Sequence, residues 1–163
     1  FKNFNFNFDI SYRHGGDVYA NTISALVGRG LTTDTQDRVS TFILPGVKQD
    51  GAVNDIQINN SDYYFSNVAF GPSELQVYDG STIRLREISL GYSIPKKSLE
   101  KTPFGSLSIT LSGQNLWFKG INVPEGTNFD PENLGVGVGN ALGFDFINSP
   151  GSQRYGMSIK ATF

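Results

Sequence analysis

The sequence predicts an all-β chain, a segment of an antiparallel transmembrane β-barrel whose strands are joined by long loops on one side and a short turn on the other. Three observations predict it. Four segments, near residues 3–13, 82–94, 105–118 and 152–163, alternate apolar and polar residues, and each is long enough for the ~9–11 residues of a tilted bilayer-crossing strand, where a soluble strand has ~5–6. Glycine is 19 of 163 residues and aromatics 13%, while charged residues are only 17%, a balance that favours strands and turns. The connections alternate in length, with long stretches at 15–81 and 119–151 and a short one at 95–104, as barrels with long extracellular loops and short periplasmic turns do. No apolar run approaches the ~18 residues of a spanning helix.

The first segment places Phe4, Phe6, Phe8, Ile10 and Tyr12 on one face and Asn3, Asn5, Asn7, Asp9, Ser11 and Arg13 on the other, which is a period of two. A continuous aromatic face of this length reads as lipid-facing. The stretch 15–81 opens on a predicted short helix capped by Asp17, with Tyr19, Ile23, Leu26 and Val27 on one face and Gly28 and Gly30 at its end. Beyond it the stretch reads as irregular, with small strands at Thr41–Leu44 and Val53–Ile58 and a turn at Asn59, Asn60 and Ser61 beside Asp62. Residues 82–94 carry Ile88, Leu90, Tyr92 and Ile94 opposite Glu87, Ser89 and Ser93, but Ile83 and Leu85 have the other parity. A bulge, or a rise of the strand out of the membrane, near Arg86 is the expected reason. Residues 105–118 set Leu107, Ile109, Leu111 and Trp117 against Ser106, Ser108, Thr110, Ser112 and Gln114. The last segment sets Tyr155, Met157, Ile159, Ala161 and Phe163 against Arg154, Ser158, Lys160 and Thr162. With the long loops outside, Tyr12, Trp117 and Tyr155 fall at one membrane interface and Phe4, Tyr92 and Phe163 at the other, forming two aromatic girdles.

An eight-stranded barrel needs four further strands, and 15–81 and 119–151 offer only short, broken alternation. Four strands leave two open edges, and each unpaired backbone group in hydrocarbon costs several kcal/mol, so the segment is expected to belong to a larger closed barrel. The start at Phe1 without Met reads the same way. Both long connections exceed the ~12–15 residues usual for structureless loops, which marks them as functional surfaces.

Composition excludes much chemistry. Without cysteine there is no disulfide, thiol nucleophile or thiolate zinc site, and His14 is the sole histidine, with no serine and carboxylate arranged around it as a triad. The net charge of −2 gives no basic excess for nucleic acid. Glu125, Asp130 and Glu132 near Asn128 place oxygen ligands close in sequence, but their spacing matches no EF-hand loop, and a solvated acidic loop is the alternative. No catalytic residue, metal or cofactor is expected.

The pieces GGDVYANTISALVGRG at 15–30, FILPGVKQDG at 42–51, IRLREISLGYSIP at 83–95, LSGQNLWF at 111–118 and the strand ending in Phe163 resemble the C-terminal part of the SusC/RagA family of TonB-dependent outer-membrane transporters. The pair ISLGYSIP and SGQNL is its most specific signal. The resemblance implies a barrel of about 22 strands with a plugged lumen in the Gram-negative outer membrane, energised by TonB. It also implies a SusD-like surface lipoprotein that delivers oligosaccharide or peptide. No plug domain is present in these residues. Tyr155 and Phe163 resemble the terminal signal read by the barrel-assembly machinery.

On this reading Asn3, Asn5, Asn7, Ser106, Ser108, Thr110, Ser112 and Gln114 face the lumen, either binding a hydroxyl-rich solute or plug backbone or serving as a wetted wall. Arg84, Arg86 and Glu87 form a lumenal charge ladder or ordinary interior pairs. Asp62, Tyr63 and Tyr64, with Phe65, offer a ligand platform or lid contact, or pack within the loop. The rival functions are a non-transporting outer-membrane barrel with a structural or adhesive role and a soluble β-sandwich that binds glycans.

Overall fold

The structure, a computed structural model, describes residues 2–134, 139–140 and 142–163. In chain order its regular elements are β1 (Phe4–Arg13), β2 (Asp17–Ala20), α1 (Asn21–Gly28), β3 (Thr41–Ile43), β4 (Gln57–Asn59), α2 (Asn60–Tyr63), β5 (Val77–Asp79), β6 (Thr82–Ser93), α3 (Lys96–Leu99), β7 (Ser106–Gly120), β8 (Phe144–Asp145) and β9 (Arg154–Thr162). Strands predominate, helices are few and short, and among the described residues none is long and apolar enough to cross a membrane. The chain divides into two compact units, one of residues 1–13, 82–119 and 151–163 and one of residues 14–81 and 120–150.

The first unit is a four-stranded sheet in the order β1-β6-β7-β9. β1 runs antiparallel to β6 and β9 antiparallel to β7. Phe4, Phe6 and Phe8 lie opposite Tyr92, Leu90 and Ile88. Between Asp9 and Ile10 the register shifts, because Asp9 faces Glu87 whereas Ile10 faces Leu85. Arg86 is therefore the extra residue of a bulge. Directly opposed residues share a face, so the bulge returns Ile83 and Leu85 to the side of Ile88 and Leu90 despite their opposite parity. One face is thus apolar from Phe4 to Tyr12 on β1 and from Ile83 to Tyr92 on β6. It is also uncovered: Phe8 is 63% and Met157 67% exposed, and Leu99 is the one buried apolar side chain of this unit among the described residues.

The alternation of β7 does not run its full length. Asn115 has a φ of 54°, and a methyl group on Gly113 would lie 2.8 Å from Leu116 Cδ2. Leu116 therefore covers the face that Gly113 shares with Leu111, and counting by twos through Asn115 to Trp117 fails. The parity of Leu111 therefore does not by itself fix the face of Trp117, which is half exposed.

The second unit shows that the two long connections are not separate irregular loops. β2 pairs antiparallel with β5 and in parallel with β8, so residues from both stretches form one three-stranded sheet. Val18, Ala20, Ile23, Val27 and Phe129 form its buried core, with Tyr64, Val68, Tyr78, Val123 and Leu134 packed around it. The predicted helix is present, but Asp17 does not cap it. Asp17 lies in β2, the residue before the helix is Ala20, and its side chain makes no cap. The fully buried Asp145 supplies the acceptor instead, its Oδ2 taking the Thr22 N–H at 2.7 Å. At the other end Gly30, at a φ of 68°, donates its N–H to Val27 O, the left-handed ending that glycine permits. β3 and β4 form a short antiparallel hairpin. The turn expected at 59–62 is the start of α2, with the Asn59 side chain accepting the Ser61 N–H at 2.7 Å.

Candidate functional site: the polar face of the sheet

The polar residues of the four long strands share the sheet's other face. Asn7 donates to Ser89 Oγ at 3.4 Å, and the Ser106 and Thr162 hydroxyls are 2.6 Å apart. Ser108 lies opposite Lys160, Thr110 opposite Ser158, Ser112 opposite Gly156 and Gln114 opposite Arg154. A methyl group on Gly91 would sit 3.2 Å from Thr110 Oγ1 and 3.6 Å from Asn5 Cβ, so Asn5 and Thr110 converge over that glycine. Asn3 lies in the turn before β1, with its carbonyl accepting the Ser93 N–H at 2.8 Å; the asparagine row in the strand begins at Asn5. Hydroxyl and amide groups with this spacing both donate and accept, which suits a hydroxyl-rich solute or an extended backbone.

At the bulge this face opens into a hollow of about 400 Å³ lined by Asp9, Arg84, Arg86, Glu87, Gln114 and Asn115. Asp9 and Glu87 oppose each other directly, a like-charge pair that is unfavourable alone. Two guanidinium groups line the same hollow, and Gln114 Nε2 donates to Glu87 Oε2 at 3.3 Å. Arg84 is 6% exposed, donates to Asn115 Oδ1, and lies 5.3 Å from the centre of the Phe118 ring. Asn115 in turn donates to Ser152 O at 3.1 Å. Arg84 thus anchors the kink of β7 through Asn115. Asn115 was not among the expected site residues, although asparagine is the side chain that best tolerates its left-handed backbone after glycine.

The loop candidates Asp62, Tyr63 and Tyr64 follow one another on α2 and the turn after it, running from the surface toward the core. Asp62 is exposed on α2. Tyr63 is half-buried, its ring 5.2 Å from Phe42 and 5.4 Å from Tyr64. Tyr64 packs against the core of the second unit, where burial, then Asp34, pushes its phenol pKa up. Among the described residues no group of three or more His, Asp or Glu side chains converges as a metal site. Asp130 is buried and accepts the Glu132 N–H at 3.0 Å. At the ends of the sheet the Phe4 and Tyr92 rings are 4.7 Å apart, Tyr155 lies opposite Gly113, and the Phe163 ring is 5.3 Å from Phe104.

No family model matches the chain. Over its whole length it is 26% identical to TonB-dependent receptor P3 of Formosa agariphila, and it spans 15% of that relative's length. The likeness is to a receptor rather than to an enzyme, and it supports kinship with TonB-dependent receptors.

Proposed function

We propose that these residues form part of the wall of a TonB-dependent outer-membrane transporter of the SusC/RagA type, in its C-terminal region, importing oligosaccharide or peptide. On this reading the four strands belong to a closed barrel of about 22 strands in a Gram-negative outer membrane, and the polar face looks into the lumen. Asn5, Asn7, Ser106, Ser108, Thr110, Ser112 and Gln114 then hydrogen-bond a passing solute or the plug. Rearrangement of a plug coupled to TonB opens the path, and a SusD-like lipoprotein delivers the substrate over the unit built from 14–81 and 120–150. Tyr155 and Phe163 are assigned to recognition by the assembly machinery.

One observation carries the reading: a sheet of long strands with one polar face and one uncovered aromatic face. A soluble β-sandwich would bury one face against a second sheet, whereas the apolar side chains from Phe4 to Tyr12 on β1 and from Tyr155 to Ile159 on β9 are all more than half exposed. Hydrocarbon is the solvent that such a face fits.

The test uses the full-length protein in its native membrane. Energised uptake of oligosaccharide or peptide that stops when TonB is removed supports transport; normal assembly without TonB-dependent uptake of either would leave the structural role. Orientation is checked separately with a paired substitution. Leu111→Lys on the apolar face should cost ~2–4 kcal/mol near the bilayer midplane, and Thr110→Lys on the polar face far less, read by denaturant unfolding in lipid vesicles. Equal costs would remove the lipid-facing assignment.

A further inference from the structure

A second hollow lies in the unit of residues 14–81 and 120–150, between the end of α1 and the segment from Phe65 to Phe70. We infer that it binds a small carboxylic acid with an apolar, ring-sized body, the carboxylate taken by Arg29. The inference does not depend on the transport reading.

The hollow holds about 320 Å³, at the small end of the ~300–1,000 Å³ typical of ligand sites. Its lining is mostly apolar, with Ala25, Phe65, Ala69, Phe70 and Ile147 beside the amide of Asn21 and the guanidinium of Arg29. The two rings stand 5.0 Å apart at 61°, and both are more than half exposed. Local backbone irregularities meet here. Tyr64–Ala69 is a π-helical turn, a form that recurs at functional sites. Ile147 has a φ of 62°, which is strained for a β-branched residue.

The charge of the hollow sets the ligand's polarity. None of its described lining residues is acidic, and Arg29 is its one charged group. The carbonyl end of a helix ordinarily repels an anion, but here two guanidinium groups already occupy it. Arg29 donates to Ala25 O at 3.3 Å, and Arg38 donates to Arg29 O at 3.0 Å and to Gly30 O at 2.6 Å. Arg29 uses one of its five N–H donors in that contact, and its planar fork matches a carboxylate. An apolar wall with one guanidinium at its margin selects an amphipathic anion over a neutral or cationic molecule of the same shape.

The test is calorimetric titration of the full-length protein in detergent with 3-phenylpropionate, the charge-reversed 3-phenylpropylamine, and propionate. The expected result is saturable binding of 3-phenylpropionate at least about tenfold tighter than either control. Arg29→Gln should erase the preference over the amine, and Ala25→Leu, which fills the hollow, should weaken 3-phenylpropionate by a similar factor. Equal binding of acid and amine, or binding unchanged in both variants, overturns the inference. Should Arg29→Gln disturb the helix end, Phe70→Ala on an exposed ring reads the same site, and undiminished binding there counts against it.

Discussion

Asp145 shows how a single side chain joins distant parts of the sequence. It is fully buried, its Oδ2 takes the Thr22 N–H at the start of α1, and its Oδ1 takes the Asn148 N–H at 3.3 Å. Asp145→Ala should therefore cost about 1–3 kcal/mol, the range for orphaned buried donors, while Asp145→Asn, which keeps an acceptor, should cost less. Amide hydrogen exchange at Thr22 checks both. Sequence reasoning chose Asp17 for this cap because caps are sought locally, and nothing near position 21 announces a partner more than a hundred residues away. Asp79 carries a pH dependence. Hydrogen bonds from the Ser81 hydroxyl and N–H, then from Asn122, with the charge of His14, hold its carboxyl below its ordinary 3.8. The unfolded chain then binds the proton more readily, so this contribution is complete above the ordinary value and disappears as pH falls through the lowered one. Thermal melts of Asp79→Asn should lose less stability than the parent between ~pH 5 and ~pH 2; an unchanged acid limb would show that Asp79 does not set it.

At the scale of elements, the long strands were legible because a period of two that runs for most of nine or more residues is the mark of a strand. Even the bulge was legible, since Ile83 and Leu85 share one parity and Ile88 and Leu90 the other, and only an extra residue puts all four on one side. Arg86 is that residue, which makes its backbone, and not its side chain, the feature that fixes register. Deleting Arg86 should remove the bulge, leave Ile83 and Leu85 in regular alternation with Ile88 and Leu90 on the apolar face and permit assembly. Deleting Ser89, where there is no extra residue to absorb the loss, should instead turn part of β6 over and prevent assembly, because a one-residue shift inverts every side chain. Arg86→Gln keeps the residue count and should assemble normally. Heat-modifiable gel mobility of membrane extracts distinguishes the two deletions, and normal folding of the Ser89 deletion would mean that β6 finds its register elsewhere. The kink at Asn115 was less legible: SGQNL was read by parity alone, and parity carries no warning of a residue at positive φ.

Across the whole molecule, the alternation that reveals a long strand says nothing of short strands paired across large separations, and the second unit is built from those. β2, β5 and β8 have only two to four residues each and draw on both long connections. Its core likewise joins Val18, Ile23 and Val27 from one connection to Phe129 from the other, so neither can be removed without opening the other. An expectation of two independent loops would predict separate responses to damage, whereas a shared core predicts one cooperative response. Ile23→Ala removes buried volume at the centre of that core, where such a change costs ~2–5 kcal/mol. Limited proteolysis of this variant should then cut within 21–28 and within 120–134 at closely matched rates, with the strands β1, β6, β7 and β9 still protected. Cleavage confined to 21–28 would show that the two connections fold separately and that the packing around Phe129 contributes little to holding them together.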